Sequence, residues 1–160
     1  MAYTTINKST DNFNTVLYTG NGSTQSVTGV GFEHKLTWLK ERSSTSSHQW
    51  VDSVRGYTKR IHSNGNDAQS VDSSPYNDFK SIDSDGFTIG SGGGVNENSQ
   101  TYVAWNWKAN GTGSTNNDGS VTSTVSANTT AGFSICKFTY PSSGNFTFGH
   151  GLGVAPRMFI

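Results

Sequence analysis

Cysteine is almost missing from this chain. Cys136 stands alone among 160 residues, so no intrachain disulfide can form and no thiolate cluster can hold a metal. It alternates with its neighbours as a strand residue does, which fits a small buried hydrophobe better than a nucleophile. Glutamate is nearly as scarce. Glu33, Glu41 and Glu97 are the only three, and no strand carries closely spaced glutamates of the kind that line some sandwich glucanases. Glycoside hydrolysis needs two carboxyl groups flanking a cleft, so a hydrolase fits poorly and no catalytic residue is expected. His34, His48, His62 and His150 are scattered without the spacing of a metal site. No Gly-x-Ser-x-Gly elbow occurs, and the Gly-x-Gly pairs precede no helix that would cradle a phosphate. Charge of one sign is missing too. The 11 basic and 11 acidic residues cancel, which argues against a nucleic-acid partner. No apolar run is long enough to span a membrane. The opening residues lack the charged and apolar regions of a secretory leader, so synthesis in a cytosol is expected.

What the chain has instead is aromatic. Apolar residues make up only 31% of it, but 12% are Phe, Tyr or Trp, which implies a thin core of large rings set in Ser, Thr, Asn and Gly. The strongest pattern lies at residues 101–108. In an extended strand Val103, Trp105 and Trp107 share one face, and Tyr102, Ala104, Asn106 and Lys108 share the other. Helical spacing separates the two tryptophans and explains the pattern less well. A slab of two tryptophans calls for a facing layer, and a second sheet supplies it. The expectation is that Trp105 and Trp107 are core residues, together with Trp38 and Phe87.

Further strands are expected at 16–19, 25–30, 35–41, 48–56, 57–62, 79–82, 87–90, 120–126, 133–140 and 145–148. Turn residues separate them at intervals that suit a sandwich. The Gly-rich run 91–95 reads as flexible. Residues 109–119 hold almost no apolar side chain and read as the start of a linker. The chain stops inside the apolar stretch 155–160, so it is expected to be the front part of a longer protein.

The end also resembles the beginning. A shift of about 120 positions places Phe133 on Phe13, Phe138 on Tyr18, and the run 149–152 on 29–32. Repetition of this kind signals an array. The resulting division is an N-terminal arm at 1–11, a β-sandwich at 12–108, a Gly/Ser/Thr/Asn-rich linker at 109–127, and a second, partly repeated β domain beginning at 128–160.

Taken in order, 17–23, 30–32, 36–42, 52–56, 79–90, 102–108, 130–133 and 149–156 resemble a family of virion proteins of marine tailed phages. These are the tail-fibre or lectin-like proteins of cyanophages and pelagiphages. One departure is Glu33 and His34, where such sequences usually carry a proline. The resemblance implies a concanavalin-like, lectin-like jelly roll repeated along the polypeptide, a non-enzymatic structural role, and a place in the virion after assembly in the host cytoplasm. It implies other virion proteins as partners through the N-terminal arm, and a homo-oligomer for which a trimer is the usual fibre symmetry. It brings no catalytic residue.

From the residues themselves, an aromatic near loops rich in Asn and Asp suits a host-surface glycan, which singles out Trp50, Tyr57 and Tyr76. Asp52 and Arg55 are expected to form a structural charge pair. The run from Asp83 to Gly86 resembles the opening of a calcium loop. Its twelfth position is Gly94, not a carboxylate, so an Asp-bonded turn is favoured and no metal or other cofactor is expected. A calcium geometry built on Asp72, Asp83 or Asp85 stays open. Two alternatives to the fibre remain: a capsid decoration protein and, behind it, a polysaccharide-active enzyme using Glu33, Glu41 or Glu97.

Overall fold

A computed structural model describes residues 6–71 and 78–160. The described strands are β1 (Phe13–Thr19), β2 (Gln25–Thr28), β3 (Leu36–Glu41), β4 (Gln49–Asp52), β5 (Lys59–Ile61), β6 (Ser70–Val71), β7 (Phe79–Asp83), β8 (Gly86–Ile89), β9 (Thr101–Trp107), β10 (Ser114–Asn116), β11 (Ser123–Asn128) and β12 (Phe133–Phe138). The fold is all-β. Its strands form three antiparallel sheets: β1-β9-β3-β4-β5-β6, β2-β8-β7 and β10-β11-β12. The short helix α1 (Gly93–Asn96) lies between β8 and β9.

The six-stranded sheet closes through its last strand. β9 enters between β1 and β3, with Ala104 opposite both Val16 and Leu39. One core cluster spans the first two sheets. Val16, Leu39, Val51, Tyr102 and Ala104 come from the six-stranded sheet, and Val27, Phe79, Phe87 and Ile89 come from the three-stranded β2-β8-β7 sheet. Phe79 and Phe87 are 5.3 Å apart, centroid to centroid, and Tyr18 stacks on Tyr102 at 5.0 Å. Phe87 is fully buried, as expected of a core residue.

The three tryptophans expected beside it are not in that core. The inward face of β9 is Tyr102, Ala104 and Asn106, all fully buried, whereas Trp105 and Trp107 point the other way and are half-buried. Trp38 shares their outward face. The reason is volume. The rings of Phe79, Phe87, Tyr18 and Tyr102 already fill the space between the sheets, and an indole in place of Ala104 would overpack it. Asn106 is tolerated inside because its polar atoms are met. Its Oδ1 accepts from Thr37 Oγ1 at 2.9 Å, and its Nδ2 donates to the Ala104 carbonyl at 3.1 Å.

Two loop expectations change for a related reason. The Gly-rich run contains α1, pinned by Asn96, whose Nδ2 donates to the Gly90 carbonyl at 2.7 Å and whose Oδ1 accepts from Asn21 N at 2.9 Å. The expected linker at 109–127 carries β10 and most of β11, the latter overlapping the strand expected at 120–126. Pairing there needs backbone groups and the β-branched Thr and Val, not a large apolar content. The expected strand at 145–148 is a loop in which Phe148 makes one isolated bridge to Val121.

Asp83 and Asp85 serve turns. Asp85 Oδ2 accepts from Gly29 N at 3.2 Å and its Oδ1 from Gly31 N at 2.5 Å, while Asp83 accepts from Ser81 and Thr88 hydroxyls. Asp72 lies outside the described residues.

His34 is the least ordinary core member. It is fully buried with its ring edge-on to Phe87 at 5.6 Å, and neither ring nitrogen has a partner. Burial, with Lys35 adding to it, lowers its pKa from 6.5 to about 4. The folded state therefore holds the neutral ring. The stability this represents is complete above the unfolded pKa and is lost as pH falls through about 4. Denaturant melts from pH 7 down to pH 3.5 are expected to lose about 3 kcal/mol through this group alone. Subtracting the profile of His34→Leu isolates it, and matching profiles would refute the assignment. A second check concerns Gly86, where an added Cβ would collide with the Val27 carbonyl across the β2–β8 pair. Gly86→Ala is expected to cost about 1–3 kcal/mol in the same melts.

Candidate functional site

The outward face of the six-stranded sheet is built by strand alternation and register. Along β9 it carries Val103, Trp105 and Trp107, along β3 it carries Leu36, Trp38 and Lys40, and along β4 Trp50 and Asp52. Register lines up one row straight across the strands: Thr15, Trp105, Trp38, Trp50 and Ile61. Three tryptophans on three adjacent strands thus make a ladder perpendicular to the chain direction.

The rings touch. Trp38 lies 5.4 Å from Trp105 and 5.0 Å from Trp50, at tilts of 57° and 49°. Tilted contacts of this kind favour the indole quadrupoles and stabilise the pairs. All three rings are half-buried, so each keeps reachable surface. Exposed Leu17 and Ile61, at 63% and 37%, extend the apolar surface at its margins.

Polar groups fix the ladder. Trp38 Nε1 donates to His48 Nδ1 at 2.7 Å, and the two rings are 5.5 Å apart. Burial, then Lys40, lowers the His48 pKa, which favours the neutral ring that can accept this bond. Past Trp50, the expected pair of Asp52 and Arg55 is present. Arg55 Nε donates to Asp52 Oδ2 at 2.5 Å and its Nη2 to the Trp50 carbonyl at 3.0 Å. Asp52 Oδ1 accepts from Val54 N and Arg55 N at 2.9 and 2.8 Å, so the carboxylate also closes the turn after β4.

The third sheet covers one end of this face. Phe13 and Phe133, equated by the sequence repeat, both pack on Trp107, at 4.9 and 6.0 Å. Asn128 Nδ2 donates to Asn12 Oδ1 and to the Lys108 carbonyl, and Ser53 Oγ donates to the Gly111 carbonyl. Trp107 is therefore a joint between sheets. Trp105, Trp38 and Trp50 remain as the open part.

Of the residues expected to bind a ligand, Trp50 is in the ladder. Tyr57 is 40% exposed in the turn between β4 and β5, and no described ring contact joins it to the ladder. Tyr76 lies outside the described residues. The acids do not gather around the tryptophans. Glu33 pairs with Lys35 beyond the start of β3. Glu41 is buried on the opposite face and accepts from the Ser46 hydroxyl. Glu97 is exposed just after α1. Among the described residues no group of three or more His, Cys, Asp or Glu is placed to hold a metal. Cys136 is half-buried rather than buried, and burial raises its thiol pKa.

Sequence reasoning missed the ladder as a site because it weighed each tryptophan strand alone. The clue was present in a different form: Trp38, Trp50 and Trp105 all sit mid-strand, and only the pairing order brings them side by side.

These features define a class: an all-β domain with an aromatic outer face, in which no helix is long and apolar enough to cross a membrane among the described residues. Residues 8–160 match the family described as a domain of unknown function, DUF7483, and the chain belongs to that family. The match includes the third sheet as well as the first two. No curated protein and no solved structure matches the chain.

Trp38→Ala removes both ring contacts of the ladder at once. It is expected to abolish the exciton couplet of the coupled indoles in circular dichroism and to cost about 1–3 kcal/mol of stability. Loss of stability with the couplet intact would show that the rings are not coupled as described.

Proposed function

We propose that this chain is a non-enzymatic structural protein of a virion, a tail-fibre or fibre-like appendage whose sandwich contacts glycan on a host surface. The observation that carries the binding part is the ladder of Trp105, Trp38 and Trp50. Half-buried indoles held by cross-strand contacts offer the apolar C–H faces of sugar rings a stacking surface. Strands hold such a surface better than loops, so little ordering is required on binding.

The virion setting rests on the resemblance of the sequence motifs to marine tailed-phage proteins. The finer fold reading, a concanavalin-like jelly roll, rests on the same resemblance, and the antiparallel packing of the first two sheets supports it. The arm at 1–11 is the proposed attachment to other virion proteins. Residues 7–11 of it are exposed and form a single 3-10 turn at Ser9–Asp11, which leaves surface for a neighbouring subunit. Repeated copies on an oligomer, a trimer in the simplest fibre, would convert weak glycan contacts into avidity.

Electron cryomicroscopy of an intact particle tests the setting. Small rotational sets at the tail or a vertex are expected, and copies spread over the capsid lattice would make this a decoration protein instead. Glycan-array binding tests the activity. Trp50→Ala and Trp105→Ala are each expected to weaken capture of a bound glycan by 10-fold or more while the thermal midpoint stays above the assay temperature. Undiminished capture by both variants would remove the ladder from the site.

A further inference from the structure

We infer that the ladder takes an acidic polysaccharide, one bearing uronate or sulfate-ester groups, laid across the strands from Trp105 to Trp50. This rests on the glycan reading above and narrows it to one chemical class.

Charge is the first ground. The chain as a whole is neutral, with 11 basic and 11 acidic residues. The ladder face is not. Lys40 stands on it beside Val103, and Arg42, whose amide continues the pairing to the Thr101 carbonyl at 2.7 Å, follows two residues on. Lys59 shares a face with Ile61, next to Trp50. The carboxylate among the described strand residues of this face is Asp52, and Arg55 neutralises it. Among the described residues Lys40, Arg42 and Lys59 therefore flank the three indoles, with Lys40 Nζ also donating to the Ser44 carbonyl at 3.0 Å. Of the other described acids of the first two sheets and their turns, Glu41 and Asp78 are buried, Asp83 and Asp85 bond the turns at 83–86 and 29–31, Glu33 pairs with Lys35, Glu97 is exposed after α1, and Asp67 is exposed in the β5–β6 turn, 4.0 Å from His62 Nδ1.

Geometry is the second ground. Neighbouring rings are separated by 5.0 and 5.4 Å, close to the length of one pyranose unit along an extended chain. Tilts of 49° and 57° leave the rings without a common plane. A flat crystalline glucan surface would meet one ring at a time, whereas a single twisting chain can set successive sugars on successive rings. The same contacts disfavour a nucleic-acid strand. Bases stack flat on separated, parallel ring faces, and these indoles are tilted by 49° and 57° against one another at 5.0 and 5.4 Å.

The test uses the full chain, with intrinsic tryptophan fluorescence and calorimetry as readouts. The probes are alginate oligosaccharides and dextran sulfate against neutral dextran and cello-oligosaccharides, with single-stranded oligothymidylate as a further arm. The acidic saccharides are expected to bind at least 10-fold more tightly than the neutral ones and to weaken as salt rises, because exposed charges are screened. The double variant Arg42→Gln, Lys59→Gln is expected to lose that preference and keep whatever neutral binding exists. Trp50→Ala is expected to weaken the acidic saccharides as well. Equal, salt-independent binding of neutral and acidic probes would overturn the charge inference and leave the glycan reading standing. Acidic binding untouched by Trp50→Ala would mean simple ion exchange and overturn it too. Tighter binding of oligothymidylate than of any saccharide would replace it with a nucleic-acid site. No saccharide bound by the wild-type chain would end both the inference and the glycan reading.

Discussion

The narrow space between the first two sheets governs this structure. Phe79, Phe87, Tyr18 and Tyr102 occupy it, and Phe87 and Tyr102 have no exposed surface. What β9 presents to that space must be slim or polar-tipped with its partners supplied. Ala104 meets the first requirement. Asn106 and Tyr102 meet the second, the tyrosine hydroxyl donating to the Gly93 carbonyl and accepting from Glu97 N, both at 2.9 Å. A strand has two faces, so the same packing decision that sends Ala104 inward sends Trp105 outward. The aromatic surface proposed as the site is a consequence of how the core is filled.

Polar residues carry more of the architecture than the low apolar content suggests. Asn96 ties the β1–β2 turn to the end of β8, Asp85 holds the loop at 29–31, and Asp52 with Arg55 closes the turn after the third ladder strand. Each joins segments distant in sequence or fixes a turn through side-chain hydrogen bonds. A thin core can suffice when its loops are fixed in this way, because less chain entropy must be offset by apolar area alone.

Much of the strand inventory was legible, because alternation and turn residues mark short strands well. The strands at Leu36–Glu41, Gly86–Ile89 and Thr101–Trp107 begin or end within one residue of expectation. The pair of Asp52 and Arg55 was legible for a local reason: the two lie three residues apart around a glycine-ended turn. Which face of β9 turned inward was not legible. Tyr102-Ala104-Asn106 and Val103-Trp105-Trp107 are both plausible inner faces by composition, and hydrophobicity favours the wrong one. The choice depends on the volume contributed by β7 and β8, and β8 reaches this layer through a long-range pairing with β2. The ladder was hidden for the same reason. Its three tryptophans come from three strands whose order in the sheet, β9-β3-β4, no local pattern encodes. The strand expected at 120–126 is present as Ser123–Asn128, but its partner Ser114–Asn116 was not legible, because that segment holds no apolar residue and pairs through backbone hydrogen bonds.

The third sheet then decides how much of the aromatic face stays open. Phe133 at the start of β12 packs on Trp107 as Phe13 does at the start of β1. One indole thus serves as the contact for two chain segments that sequence repetition equates. Had the third sheet docked one row further along, at Trp105 and Trp38, the ladder would be a buried interface with no role in binding. It docks instead at the end marked by Asn12, Lys108 and Ser53, where side-chain amides and hydroxyls bond to backbone carbonyls and to one another. Those polar contacts set the position of the sheet more narrowly than ring stacking could, since apolar contact is non-directional and hydrogen bonds are not. Small polar residues at the joint therefore keep three tryptophans in reach of solvent, and the binding surface depends on them as much as on the indoles.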